Sequence, residues 1–114
     1  MSDDRVYLTY ILECIINVED LARNGREGFE AARHNRAAAL YYLQTMAETT
    51  QRLSDALKAA HSEVDWMAIG GFRNRLVHGY LDVDMDVVWS VIKNYLPGLK
   101  QATISMLKQI DEGK

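Results

Sequence analysis

The fold class follows from residues 7–22, YLTYILECIINVEDLA, in which apolar side chains recur every three or four positions. The stripe consists of Tyr7, Ile11, Ile15, Val18 and Ala22, and it is widened by Tyr10, Cys14 and Leu21. Because an α-helix has about 3.6 residues per turn, this spacing gives a helix one apolar face. Ser2-Asp3-Asp4 supplies capping oxygens and negative charge at the helix start, and Gly25 predicts the end. The segment from Gly25 to Gly28 is then predicted to be a turn or loop.

A second helix is predicted from a cap at Asn35 to the region of His61. Its stripe is wide, small and partly polar, which favours close packing on two sides, with a second subunit as one candidate neighbour. The stripe comprises Ala38, Tyr41, Tyr42, Thr45, Thr49, Arg52, Leu53, Ala56 and Leu57. Ser62 and Asp65 have the spacing of a capping box, which predicts a third helix that breaks at Gly79. Within it, Gly70-Gly71 permits a close backbone approach.

A fourth helix is predicted to start at Asp82 or Asp84, and Pro97 predicts a kink or a new start within it. Its apolar positions run from Val87 to Tyr95, and a last segment continues through Leu99 and Ile104 to Ile110. No alternating strand pattern, repeat or low-complexity tract interrupts this order. Residues 1–114 are therefore predicted to form one all-α domain, a four- to five-helix antiparallel up-down bundle.

The composition and net charge limit the classes of function that this chain can have. The 114 residues are 48% hydrophobic with a net charge of −3, which predicts a folded domain without a broad nucleic-acid-binding surface. A local basic pocket, or one composed by two subunits, remains open. The acidic start of the chain and the absence of a long apolar run predict a cytoplasmic location. Cys14 is the only cysteine, so it is predicted to be a small core residue in a reducing compartment.

No metal or cofactor site is predicted, because the sequence has neither a cysteine cluster nor a His-x-x-x-His pair, and no nucleotide-binding glycine pattern. The run Asp82-x-Asp84-x-Asp86 resembles the beginning of a calcium loop, but Val87 occupies the position of its required glycine and the required glutamate is also missing. Helix capping is the simpler interpretation of this run. His34 and His61 are predicted to be solvated.

The run from Arg73 to Tyr80, RNRLVHGY, has two interpretations. In the first, Asn74 and Arg75 are solvated, the two aliphatic residues are core, and His78-Gly79 ends a helix, as the helix dipole and glycine both favour. In the second, the polar side chains form a site that cleaves RNA without a metal.

The chemistry of the second interpretation is specific. Histidine can take a proton from a ribose 2′-hydroxyl or return one to the leaving 5′-oxygen. Arginine can hold the phosphate, and Asn74 shares a helix face with His78. Arg73 and His78, however, are five positions apart, roughly 140° around a straight helix. One histidine cannot easily serve as both acid and base, so two subunits facing each other would supply the pair.

The sequence resembles the HEPN superfamily, in its HepT-like toxin branch, over nearly the whole chain and most strongly from Val64 to Leu99. Arg73-x4-His78-x-Tyr80 matches the Arg-x4-His-x-Tyr motif of that superfamily. Supporting matches, the last of them looser, are Val64-Asp65-Trp66 with Ile69-Gly70-Gly71-Phe72, Val87-Val88-Trp89, Leu96-Pro97-Gly98-Leu99, and the helix with Glu48 and Arg52-Leu53-Ser54.

The resemblance implies a two-fold dimer whose two motif copies line one cleft. It implies a metal-independent endoribonuclease toxin of a type VII toxin–antitoxin system, acting on transfer RNA or messenger RNA. Arg73 and His78 would be catalytic, and Asn74 would support the pocket. Arg75 is a candidate for a further phosphate contact, with a solvated surface arginine as the alternative. The implied partner is an MNT-type nucleotidyltransferase antitoxin that adds AMP to Tyr80. The alternative is a non-catalytic dimeric module that binds nucleotide or positions substrate for such a partner.

Overall fold

Every regular element of the described residues is helical, in agreement with the predicted all-α class. The computed structural model of the chain describes residues 2–79 and 83–113. The elements are α1 Ser2–Leu21, α2 Gly25–Ala31, α3 Arg33–Thr50, α4 Asp55–Ala60, α5 Trp66–His78, α6 Met85–Ser90, a π-helical segment Val91–Tyr95, and α7 Leu96–Glu112. The long helices α1, α3 and α5 and the continuous rod from α6 to α7 form the predicted bundle.

Helix α3 lies between α1 and α5, and α7 packs on α1. The α1 stripe is confirmed, because Ile11, Cys14, Ile15 and Val18 are each at most 2% exposed. Burial raises the pKa of the Cys14 thiol, as expected for a core cysteine. Tyr10, which was placed at the edge of this stripe, is 38% exposed.

The prediction of a turn or loop from Gly25 to Gly28 was wrong, because these residues begin the short helix α2. Gly25 has a positive φ of 85°, a backbone conformation that glycine adopts without strain. Phe29 is 1% exposed and meets the Trp89 ring at a centroid distance of 5.6 Å. Arg26 pairs with Glu30 one turn on and with Asp86 of α6. The helix therefore depends on contacts with α6, 60 residues away, that local sequence does not reveal.

The register and start of α3 differ from the prediction. The residues that face the core are Ala39, Leu43, Met46, Ala47 and Thr50, not the predicted stripe. Tyr41 is 61% exposed, because the aliphatic side chains next to the tyrosine pair take the inward positions. Ala32 stands at the cap and Asn35 lies inside the helix. The expected packing on two sides is confirmed, and both neighbours, α1 and α5, belong to the same chain.

The predicted single helix from Asn35 to His61 is also wrong, since the chain breaks between α3 and α4. Ser54 is extended and caps α4, accepting a hydrogen bond from the Leu57 amide at 3.2 Å. Asp4 of α1 holds this corner: its carboxylate accepts from the Ser54 amide at 2.8 Å and from the Ser54 hydroxyl at 2.6 Å. Asp4 is only 6% exposed, so the break is built around a buried carboxylate.

The rod from Met85 to Glu112 contains Pro97 without a break. Pro97 occupies the first turn of α7, where its missing N–H costs little, and the π-helical segment precedes it. Asp84 caps α6, its carboxylate accepting from the Asp86 amide at 2.8 Å. The alternative cap, Asp82, lies outside the described residues. Tyr95 and Ile104, predicted on the apolar face, are 59% and 40% exposed.

No described helix is both long enough and apolar enough to span a bilayer. The two-fold dimer and the single domain over residues 1–114 remain predictions.

Candidate active site on helix α5

Helix α5 carries the motif on a regular backbone. Its cap is Asp65, whose carboxylate accepts from the Ala68 amide at 3.0 Å, and not the predicted Ser62. The helix ends where predicted, and the Gly79 amide donates to the Arg75 carbonyl at 2.9 Å. The motif residues up to His78 therefore keep helical spacing.

Arg73 and Asn74 are joined directly. The guanidinium Nη1 of Arg73 donates to Oδ1 of Asn74 at 3.2 Å. The Nε of Arg73 also lies 3.6 Å from Oε1 of Glu48 on α3, and that carboxylate oxygen accepts from Gln44 at 3.1 Å. Because both side chains of the ion pair are more than a third exposed, a phosphate has access to the same guanidinium.

The structure places Arg73 and His78 against different cavities. Arg73 and Asn74 line an open groove of about 760 Å³ between α5 and the α3–α4 region. Arg75 and His78 line a second cavity of about 360 Å³ between α5 and α6. Within one chain, Arg73 and Asn74 therefore share one flank of α5. Arg75 and His78 share the other flank. The roughly 140° separation expected from helical spacing is retained.

The cavity beside His78 is mainly apolar. Phe72 and Leu76 contribute to its wall from α5, and Val87 and Val88 contribute from α6. Asp84 lies at the same cavity and offers the carboxylate on this side of His78. His78 itself is exposed at the carboxyl end of α5.

Two further predicted positions differ in outcome. Tyr80 lies outside the described residues. His34 is exposed, as predicted, but the side chain of His61 is only 13% exposed and its Nδ1 lies 3.3 Å from Oε2 of Glu63. The predicted solvated position of His61 was wrong, because the backbone around it folds against Trp66, whose indole Nε1–H donates to the His61 carbonyl at 3.1 Å.

Comparison with known proteins assigns the fold to a family. The family model described as "Ribonuclease HepT-like" matches residues 11–106. The chain belongs to the HepT-like ribonuclease family. The "Probable ribonuclease HepT" of Thermococcus cleftensis is 30% identical over 95 residues, which cover 82% of this chain and 86% of that protein. The resemblance drawn from the motif is therefore confirmed.

Two other relatives of this HepT-like chain differ in length. The "Putative RNase" of Caldanaerobacter subterraneus subsp. tengcongensis is 28% identical over 110 residues, covering 96% of this chain and 98% of that protein. A Methanocaldococcus jannaschii protein named "Gamma-glutamylcyclotransferase and putative RNase" is 24% identical over 114 residues. This chain spans 51% of that protein's length. A comparison with solved structures gives no significant match.

The fold brings several residues without a predicted role to the HepT-like motif. Glu48 is 25 positions before Arg73 and reaches it only because α3 packs against α5. Arg52, Lys58 and Trp66 line the same groove as Arg73. No spacing rule links these positions, since they belong to three elements and a turn.

Proposed function

We propose that this HepT-like chain is an endoribonuclease toxin that cleaves transfer RNA or messenger RNA without a metal ion. The observation that carries the proposal is the arrangement at the end of α5. There Arg73 donates a hydrogen bond to Asn74 at 3.2 Å, and the exposed His78 follows Asn74 by one helical turn. Membership of a ribonuclease family supports the same chemistry.

In this mechanism the imidazole of His78 removes the proton of a ribose 2′-hydroxyl. The 2′-oxygen attacks the adjacent phosphorus, the bond to the 5′-oxygen breaks, and that oxygen receives a proton. The products are a 2′,3′-cyclic phosphate and a 5′-hydroxyl. The guanidinium of Arg73 stabilises the charge on the phosphate oxygens, Asn74 orients that guanidinium, and Arg75 is a further phosphate contact.

The separation of Arg73 from His78 supports a composite site made by two copies of the chain. The exposed face of α5 carries Met67, Gly71, Asn74 and His78 at helical spacing. Met67 is 89% exposed, and a Cβ added at Gly71 would meet nothing within 4 Å. A second α5 against this face would cover the methionine and bring one chain's His78 towards the other's Arg73. The same symmetry would provide two histidines, one as base and one as acid.

Neutralisation by an MNT-type antitoxin completes the proposal. The partner would transfer AMP from ATP to the hydroxyl of Tyr80, releasing pyrophosphate. Tyr80 follows His78 by two positions, so a phosphate-bearing group on it would repel an RNA backbone near the site. The family resemblance supports this step.

The test of the catalytic proposal is cleavage of a defined RNA by the purified chain with EDTA present. His78→Ala and Arg73→Ala should each lower the rate by about 10²- to 10⁴-fold, as loss of acid–base or charge-stabilising groups does. Arg33→Ala, which removes an exposed arginine at the start of α3, is the matched control. Circular dichroism verifies folding. A His78→Ala chain that cleaves as fast as the wild type would exclude this mechanism.

The modification is tested by intact mass. Co-expression with the proposed MNT-type nucleotidyltransferase should add whole AMP units to the wild-type chain and none to Tyr80→Phe. Unmodified wild type, produced beside a partner whose own active site is intact, would contradict neutralisation by this route.

The alternative, a non-catalytic module, draws support from the Glu48 contact, since Arg73 is engaged and lies apart from His78 in one chain. Expression of the chain alone decides between the two functions. Growth arrest with cleaved RNA supports the toxin, whereas harmless expression with intact RNA supports the module.

A further inference from the structure

The groove beside Arg73 concentrates positive charge in an acidic chain. Its lining includes Arg52, Lys58 and Arg73, opposed by the single carboxylate of Glu48 among its described residues. The whole chain has a net charge of −3, so this grouping departs from the average surface. Clustered cations of this kind are what an RNA backbone requires.

Two of the three cations are available to a ligand. Arg73 is paired with Glu48 at 3.6 Å, whereas neither Arg52 nor Lys58 has an ion-pair partner within residues 2–79 and 83–113. Arg52 is exposed in the turn after α3, and Lys58 is half-buried on α4. A phosphate bound here would therefore not have to displace a carboxylate from either side chain.

An aromatic ring forms part of the same wall. The indole Nε1–H of Trp66 donates to the carbonyls of Lys58 and His61, at 3.1 Å each, which fixes the ring at the junction of α4 and α5. Gly70 follows one turn later and leaves the groove without a side chain at that position. A fixed aromatic side chain beside cations is the arrangement that proteins use to stack an unpaired base.

We propose that this groove, lined by Arg52, Lys58, Trp66 and Arg73, is a subsite for single-stranded RNA next to the cleaved bond. Arg52 and Lys58 bind phosphates, and Trp66 stacks a base. The inference rests on the proposed function, because it takes RNA as the ligand. The subsite extends the proposed RNA-binding surface beyond the motif. In it the bound RNA strand runs from Arg73 towards α4.

The test uses His78→Ala chains, so that RNA stays intact, and a fluorescein-labelled unstructured 12-nucleotide RNA. Binding is measured by anisotropy across a salt series. Adding Arg52→Ala and Lys58→Ala should raise the Kd about tenfold or more at low salt. The slope of log Kd against log salt concentration should also fall by about 1.4, the amount expected for the loss of two phosphate contacts to single-stranded RNA. Adding Arg33→Ala and Lys108→Ala instead removes the same charge from exposed positions outside the groove and should leave the slope unchanged.

A second measurement needs no substitution in the groove. RNA containing 4-thiouridine is photo-crosslinked to the His78→Ala chain, and adducts are mapped by mass spectrometry. Adducts within residues 52–73 support the subsite. Adducts confined to other parts of the chain, or equal Kd values and slopes for the two double variants, would overturn it.

The two proposals fail separately. If wild type leaves the RNA intact but groove substitutions abolish binding, the nuclease function fails and the subsite stands. If wild type cleaves and the groove variants bind like their control, the subsite fails and the nuclease stands.

Discussion

At the residue scale, Glu48 has the most direct influence on the motif. Its carboxylate lies 3.6 Å from Arg73 Nε and competes with any phosphate for that guanidinium. Gln44 donates to Glu48 at 3.1 Å and holds the carboxylate in place. Both members of the ion pair are partly solvated, so the pair is weak enough for RNA to displace.

Glu48→Gln should therefore tighten RNA binding. The amide keeps the volume of the side chain but removes its repulsion of phosphate, and the expected fall in Kd at low salt is about 2- to 5-fold. Anisotropy with the His78→Ala chain measures it, and Glu63→Gln, at an exposed carboxylate outside the groove, is the control. Weaker binding in Glu48→Gln would instead mean that the carboxylate positions Arg73 for the phosphate.

At the element scale, the corner between α3 and α4 shapes one wall of the groove. The corner is held by Asp4 of α1 through two hydrogen bonds to Ser54, which in turn caps α4. Lys58 lies on α4 and its carbonyl receives the Trp66 indole at 3.1 Å. The position of the groove residues therefore depends on a carboxylate 50 positions before the corner.

Asp4→Ala should destabilise the fold by about 1–3 kcal/mol, because it leaves two partly buried donors of Ser54 without their partner. Urea unfolding measures the change. Asp3→Ala is the matched control, since Asp3 is exposed in the same first turn and shares only the helix-dipole effect, about 0.3–1 kcal/mol. Equal losses in the two variants would show that Asp4 acts through the dipole and not through the corner.

At the scale of the whole molecule, the proposed composite site rests on the two cavities that separate Arg73 from His78 within one chain. The exposed face of α5 offers an apolar anchor, Met67, at 89% exposure. Covering such a side chain is a common contribution to a symmetric interface.

Met67→Asp should accordingly convert a dimer into a monomer. Sedimentation equilibrium measures the mass, which for wild type should be twice that of the chain. Val6→Asp introduces the same charge at a 64% exposed site on α1 and should remain dimeric. A monomeric wild type with full activity would refute the composite site.

The sequence by itself determined the all-α class, the inward face of α1, the end of α5 at Gly79 and the composition of the motif. These features depend on periodicity, capping and residue chemistry, which act within a few positions along the chain. The tertiary structure decided the presence of α2, the register of α3 and the break held by Asp4. It also decided the pairing of Arg73 with Glu48 and the grouping of cations with Trp66. Each of these depends on side chains from different helices meeting, so it is fixed by packing between distant segments and not by local pattern.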